Sequence, residues 1–402
     1  MSKIELVKRP KLIIIILLIG ITFIQCKKTI TSALEWIDVD QEELMLTDKD
    51  SMYNLSATIY KDMIFLEHIY LWKYQSATST VIASKLHTGD ILVSDDLGQH
   101  FYSVYESETE RWSRCLTTES GRHLLWDMRS SKVWLFDPSW NLIKKINTGK
   151  FSWHGSWSIA DYNNIIMYAE YESTEVDSFH VWRSKDDGDH WEKVFSQCGR
   201  ANEKADIRHF HTVQPDPFNQ HQWFLSSGDV GNECKVWKSS DDGTTWQNVT
   251  DTNPQGTNLV RVHRYTAIAF DEDFLYWGTD DELDGRAKFV RAKRAEPLQV
   301  EVINDLGNIV RNLIVTSYGF IFISERKIEI NGSKLDFNIY ISPDKYNVQE
   351  LYRASGDDSI RTGFTYSKSS LASKDGIFFS YFDGSFIFPG QMGMLRWKIS
   401  KK

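Results

Sequence analysis

Residues 236–246 read V-W-K-S-S-D-D-G-T-T-W. The string recurs as V-W-R-S-K-D-D-G-D-H-W at 181–191 and, more loosely, as I-L-V-S-D-D-L-G-Q-H-F at 91–101. All three obey S-x-D-x-G-x-x-[WF], carried by Ser94, Asp96 and Gly98, by Ser184, Asp186, Gly188 and Trp191, and by Ser239, Asp241, Gly243 and Trp246. An alternating apolar strand, an Asp-Gly turn and an aromatic residue on re-entry make a hairpin signature. The Ser hydroxyl and Asp carboxylate accept backbone N–H groups inside such a turn and fix its shape.

Around each copy, apolar runs of four to eight residues are separated by turn residues, and no amphipathic helix interrupts them. The clearest unit is 207–249: strands at 211–214, 223–227, 235–239 and 246–249, with the motif between the third and fourth. Another whole unit spans 157–194, and 265–279 begins a third. Two more begin at 313–324 and, with strands one and two, at 365–367 and 377–381; less regular units surround 80–105 and 122–146. The chain is therefore expected to be all-β, a β-propeller of four-stranded blades recurring every roughly 40–55 residues, seven in number or six if the first unit is only a closing strand.

On these three motifs the sequence resembles the Asp-box, or bacterial neuraminidase repeat, of sialidase-like β-propellers. The resemblance covers most of residues 80–400, with a decayed copy at Ser342-Pro-Asp-Lys. It implies a glycoside hydrolase-like activity on an anionic or polyhydroxylated glycan. The Arg-Ile-Pro motif of true sialidases is absent, so strict sialidase activity is not expected. Other propellers of this kind are non-catalytic envelope scaffolds or assembly proteins that bind protein, and a propeller-type polysaccharide lyase is a further alternative.

At 402 residues, 25% charged and 41% hydrophobic, the composition is that of a globular protein. A net charge of -9 opposes a nucleic-acid partner, which needs a basic surface. Lys3, Lys8, Arg9 and Lys11 precede the short apolar run 12–24, which ends at Cys26. This resembles a bacterial lipoprotein signal with Cys26 as the lipidated residue, and implies an exported, membrane-anchored protein of the cell envelope. The organisation expected is signal peptide 1–25, tether 26–51 with a first or closing strand near 36–39, and one propeller domain 52–402, monomeric. Cys115, Cys198 and Cys234 allow one disulfide, Cys198–Cys234, or three free thiols.

In an up-and-down blade, the start of strand one and the loop between strands two and three share a face, and the Asp box lies on the other. The Asp box is thus structural, and a site is sought on the opposite face. Arg208, Arg261, Arg311 and Arg361 recur about every 50 residues just before the expected first strands. Arg122 fits the same reading. Acidic residues follow the second strands at Glu170, Asp229, Asp280, Glu325 and Asp383, and histidines join at His154, His209, His211 and His263.

Arginine forks suit a carboxylate or sulfate, and carboxylates suit acid and base work, so Asp229, Asp280 and Glu170 are the catalytic candidates. Arg208, Arg261, Arg311 and Arg361, with His154, His211 and His263, are the ligand-binding candidates. Tyr168 beside Glu170 invites comparison with the sialidase Tyr/Glu nucleophile pair. Salt bridges between blades would explain the same charges. No cofactor is expected, and no spacing supports a metal.

Overall fold

The computed structural model describes residues 37–38, 41–45, 52–60, 69–75, 79–85, 88–107, 112–127, 132–148, 158–171, 176–204, 206–256, 260–280, 287–306, 309–325, 337–354, 376–383 and 392–402. The signal region with Cys26, and the site candidates His154 and Arg361, lie outside them.

Seven antiparallel sheets form a seven-bladed β-propeller. Blade 1 runs outward from Ile69–Gln75 to His100–Tyr105, and blade 2 from Trp112–Thr117 to Leu142–Asn147. Blade 3 comprises Ile159–Tyr162, Ile165–Ala169, Ser178–Ser184 and Glu192–Cys198. Blade 4 comprises Phe210–Pro215, Trp223–Ser227, Lys235–Ser239 and Gln247–Asn248. Blade 5 runs from Ala269–Phe270 to Gln299–Asp305, and blade 6 from Ile309–Thr316 to Gln349–Ala354.

Blade 7 closes the ring by joining both ends of the chain. Ile377–Asp383 is its inner strand, followed outward by Met392–Lys401, Tyr53–Tyr60 and Gln41–Met45. Two expectations are corrected here. Residues 377–381 form strand one of the last blade rather than strand two, because the N-terminal segment supplies the two outer strands. Gln41–Met45 falls in the stretch read as a tether, whereas Ile37–Asp38, within the 36–39 strand expected there, is a fifth strand on the outer edge of blade 1.

The sequence folds this way because each sheet buries apolar side chains against its neighbours. Between blades 3 and 4, Met167 and Val181 pack on Phe210, Leu225 and Trp237; between blades 5 and 6, Tyr276 and Phe289 pack on Phe320 and Phe322. Trp397 of the closing blade is fully buried beside Phe378, with ring centroids 6.0 Å apart. Each such burial contributes about 1.5–3 kcal/mol.

The three repeated turns share one geometry. Ser94, Ser184 and Ser239 each donate to the Asp two residues on, at 2.8, 2.9 and 2.8 Å, and accept the N–H of Gly98, Gly188 and Gly243 at 2.7, 2.9 and 2.7 Å. Gly188 and Gly243 have φ of +88° and +79°, and each rests on the preceding blade: an added Cβ would stand 2.8 Å from Leu124 Cδ2 or 2.6 Å from Met167 Cε. Glycine is required there twice over, for conformation and for close approach. Trp191 and Trp246 donate their indole N–H to the Gly188 and Gly243 carbonyls at 3.1 Å each. Cys115, Cys198 and Cys234 are free thiols, so the Cys198–Cys234 bridge is not formed.

Candidate functional site

On the face opposite the Asp boxes, blades 3, 4 and 5 bring one charged cluster together. Its centre is Asp229, in the loop after Trp223–Ser227, with a side chain 7% exposed. Arg208 Nη1 donates to Asp229 Oδ2. On the other oxygen, Oδ1, converge His211 Nε2 at 3.2 Å, His209 Nε2 at 3.4 Å and Arg264 Nη2 at 3.4 Å. The two histidine Nε2 atoms are 3.0 Å apart. Arg264 also reaches Asp280 Oδ2 of blade 5 at 3.4 Å. From blade 3, Tyr171 stacks on the His209 ring with centroids 3.9 Å apart.

Local backbone geometry explains the convergence. The ladder of the inner strand Phe210–Pro215 shifts register between Phe210 and Thr212, and His211 is the extra residue. Residues two apart in extended chain share a face, which sets His209 and His211 side by side at the start of this strand. Gly228, with φ of +83°, donates its N–H to the His209 carbonyl at 3.0 Å and bends the chain so that Asp229 follows over the histidines.

The electrostatics follow from burial. Desolvation by itself would raise the pKa of Asp229, but hydrogen bonds from His209 and His211 overcome it and hold the carboxyl far below the usual range. Asp229 is an anion at every working pH. Burial lowers the pKa of His211, so its imidazole is neutral near pH 7. Its Nδ1 is buried with no hydrogen-bond partner. Arg208, by contrast, is 38% exposed and forms the rim of the cluster.

Of the residues expected here, Arg208, His209, His211, Asp229 and Asp280 come together. Several do not. Tyr168 is buried among Trp126, Trp182 and Trp191, and its hydroxyl donates to the Thr148 carbonyl. Burial pushes its pKa up, so it is a core residue with no access to a substrate. Glu170 is buried and accepts from His180 N at 2.9 Å and Trp182 Nε1 at 2.8 Å, bracing blade 3.

His263 is also a core residue: its Nε2 lies 2.8 Å from the Asp251 carbonyl and its ring is 6.3 Å from that of Trp277. Arg261 sits in the 3-10 turn Val260–His263, and the residue that reaches the cluster is Arg264, three positions later. The helical turn displaces the register, and sequence spacing had no signal for it.

The even spacing of the arginines does not put them at one blade position. Arg311 lies at the ladder shift between Val310 and Asn312, the place His211 holds in blade 4. Arg122 is in the turn between strands one and two of blade 2, on the Asp-box face, and pairs with Asp189 at 2.8 Å and Asp187 at 3.3 Å. Asp383 ends the inner strand of blade 7 rather than following a second strand.

The fold and the site define the class: a seven-bladed β-propeller with a charged cluster at one end of blades 3 to 5. No family model and no curated protein matches the sequence. Solved structures do. An oligogalacturonate lyase in complex with manganese aligns with TM-score 0.58 at 10% identity, over 92% of this chain and 98% of that one. A virginiamycin B lyase from Staphylococcus aureus aligns with TM-score 0.53 at 9% identity, over 89% and 99%. YCF48 from Cyanidioschyzon merolae aligns with TM-score 0.52 at 10% identity, over 83% and 97%. At these identities the likeness is one of fold.

Proposed function

We propose that the protein is an exported, envelope-anchored propeller whose cluster face recognises an acidic, polyhydroxylated glycan by its carboxylate. One observation carries the reading: Arg208 forms the exposed rim of an otherwise buried cluster, with its guanidinium held on Asp229. An incoming carboxylate meets Arg208 first and can take the free edge of its fork. Arg264 beneath it, together with Arg208, offsets the charges of Asp229 and Asp280. Tyr171 supplies an aromatic face beside the cluster.

At the centre of this face Asp229 is no proton donor. Glu170 accepts two N–H groups, Asp280 faces Arg264, and Asp229 is held ionised. Glycoside hydrolysis needs a carboxylic acid with a raised pKa, a part that Asp229 cannot play. Carboxylate neutralisation is instead the first requirement of β-elimination from a uronate. There, the proton on the carbon bearing the carboxylate leaves to a base, its electron pair forms the C=C bond, and the C–O bond to the next sugar breaks as that oxygen takes a proton. Solved structures of this fold include an oligogalacturonate lyase and a virginiamycin B lyase, which supports the elimination reading by fold alone.

Incubation with a panel of acidic and neutral oligosaccharides tests this. Unsaturated, ultraviolet-absorbing ends from acidic members alone are expected. New reducing ends without unsaturation would return the protein to the hydrolases, binding without products would make it a lectin-like module, and no binding to any acidic member would overturn the reading. The basic leader and apolar run ending at Cys26 support lipid anchoring. Replacement of Cys26 by Ala should release the protein from the membrane fraction, and unchanged fractionation would refute the anchor.

A further inference from the structure

We infer that His209, His211 and Asp229 form a binding site for a first-row divalent transition-metal ion. Nε2 of His209, Nε2 of His211 and Oδ1 of Asp229 make a closed triangle with edges of 3.0, 3.2 and 3.4 Å, and all three residues are buried. Hydrogen bonding cannot satisfy that triangle. An imidazole nitrogen carries either a proton or a lone pair, and an ionised carboxylate only accepts. If both histidines donate to Asp229, two N–H groups face each other across the 3.0 Å edge. If one donates to the other, the second turns its lone pair on the carboxylate. One edge is unsatisfied in every arrangement of protons, inside a region where such a mismatch is costly.

A cation at the centre satisfies all three at once. Metal bonds of about 2.1 Å to nitrogen and oxygen set ligand atoms about 3.0 Å apart at a right angle and about 3.4 Å apart at the tetrahedral angle. The observed edges span that interval. Two imidazoles and one carboxylate suit manganese, iron, cobalt or zinc, whereas calcium and magnesium prefer oxygen throughout.

The surroundings can hold the charge. Arg208 takes the far carboxylate oxygen, Oδ2, and leaves Oδ1 to the triangle. Arg264, 3.4 Å from Oδ1, has Asp280 as an alternative partner at the same distance. The isolated Nδ1 of His211 leaves that ring a single hydrogen-bonding side, the inward one. A metal here would add positive charge beneath Arg208 and strengthen the hold on an anionic ligand, but the site rests on its own geometry and not on the identity of the glycan.

Untagged protein, stripped by a chelator and dialysed against Mn2+, Zn2+, Co2+ or Ca2+ in turn, provides the test. Elemental analysis should find one equivalent of a transition ion and none of calcium, and bound Co2+ should give a nitrogen/oxygen-ligand absorption spectrum. His211→Gln and Asp229→Asn should weaken binding at least tenfold, while His263→Gln, a buried histidine outside the triangle, should not. Stripped wild-type protein that takes up none of the transition ions, or uptake unchanged in a folded His211→Gln variant, would overturn the inference. If the variants fail to fold, wild-type stoichiometry and the Co2+ spectrum still decide it. Glycan binding measured in excess chelator keeps the two readings separable, since either can then fail while the other stands.

Discussion

Replacement of Asp229 by Asn probes the cluster through stability. The substitution keeps shape and removes one charge from a group of four, Arg208 and Arg264 against Asp229 and Asp280. Breaking a buried ion pair by removing one partner costs about 3–5 kcal/mol. Here the lower end applies, because Arg208 is 38% exposed and can turn to water, and Arg264 keeps Asp280. A loss of about 3 kcal/mol at pH 7 is therefore expected, a large share of a total of about 5–15 kcal/mol.

The loss should also depend on pH. The folded pKa of Asp229 lies far below its unfolded value of about 3.9, so its contribution is fully present above that value and is lost as pH falls towards the folded one. The gap between wild type and Asp229→Asn, read from urea midpoints, should be constant from about pH 7 to about pH 5 and narrow below that. A gap under about 0.5 kcal/mol at pH 7, within the range of ordinary surface substitutions, or one that does not narrow in acid, would refute the electrostatic account.

Three further outcomes follow from other parts of the ring. Gly278→Ala would place a Cβ 2.3 Å from Val310 Cγ1 between blades 5 and 6, and overpacking of this kind should cost about 1–3 kcal/mol by thermal or urea unfolding. Ser239→Ala strips Gly243 N–H of its buried acceptor; about 1–3 kcal/mol of stability should go, with ligand or metal binding on the opposite face unchanged. Burial keeps His263 neutral in the folded state, and its folded pKa is below the unfolded value of about 6.5, so stability should fall as pH drops through that value. His263→Gln should flatten the slope between about pH 7 and pH 5, and an unchanged slope in urea titrations would count against it.

How much of this was legible in the sequence depends on how local the signal was. The Asp boxes were fully legible, since their serine, aspartate and glycine make bonds within five residues and repeat three times. They gave the phase of the blades and placed Asp229 and Asp280 on the opposite face. The closing blade was misassigned because its sheet is completed by a segment more than 300 residues away, Tyr53–Tyr60 against Met392–Lys401, which no repeat can announce.

The cluster was only half legible. Spacing points to Arg261, whereas Arg264 reaches the cluster, because a 3-10 turn shifts the register without changing the spacing. His209 and His211 both stand out in the string Arg208-His-Phe-His, but their 3.0 Å approach and their convergence on Asp229 depend on the fold of the loop after the second strand, which no spacing marks. Tyr168 is a core residue because alternation along a strand does not say which face meets the next blade, and His263 because the 3-10 turn, which spacing does not announce, folds it onto the Asp251 carbonyl.

The most direct measurement of the central claim is calorimetric titration of an acidic oligosaccharide and its neutral, carboxyl-reduced counterpart into wild-type protein and Arg208→Ala. Binding of the acidic form alone to wild type is expected, and a loss of at least tenfold, about 1.4 kcal/mol, in Arg208→Ala at a temperature where a thermal melt shows the variant folded, since its buried partner Asp229 loses an ion pair. Equal binding of the two sugars, or undiminished binding by Arg208→Ala, would contradict that claim.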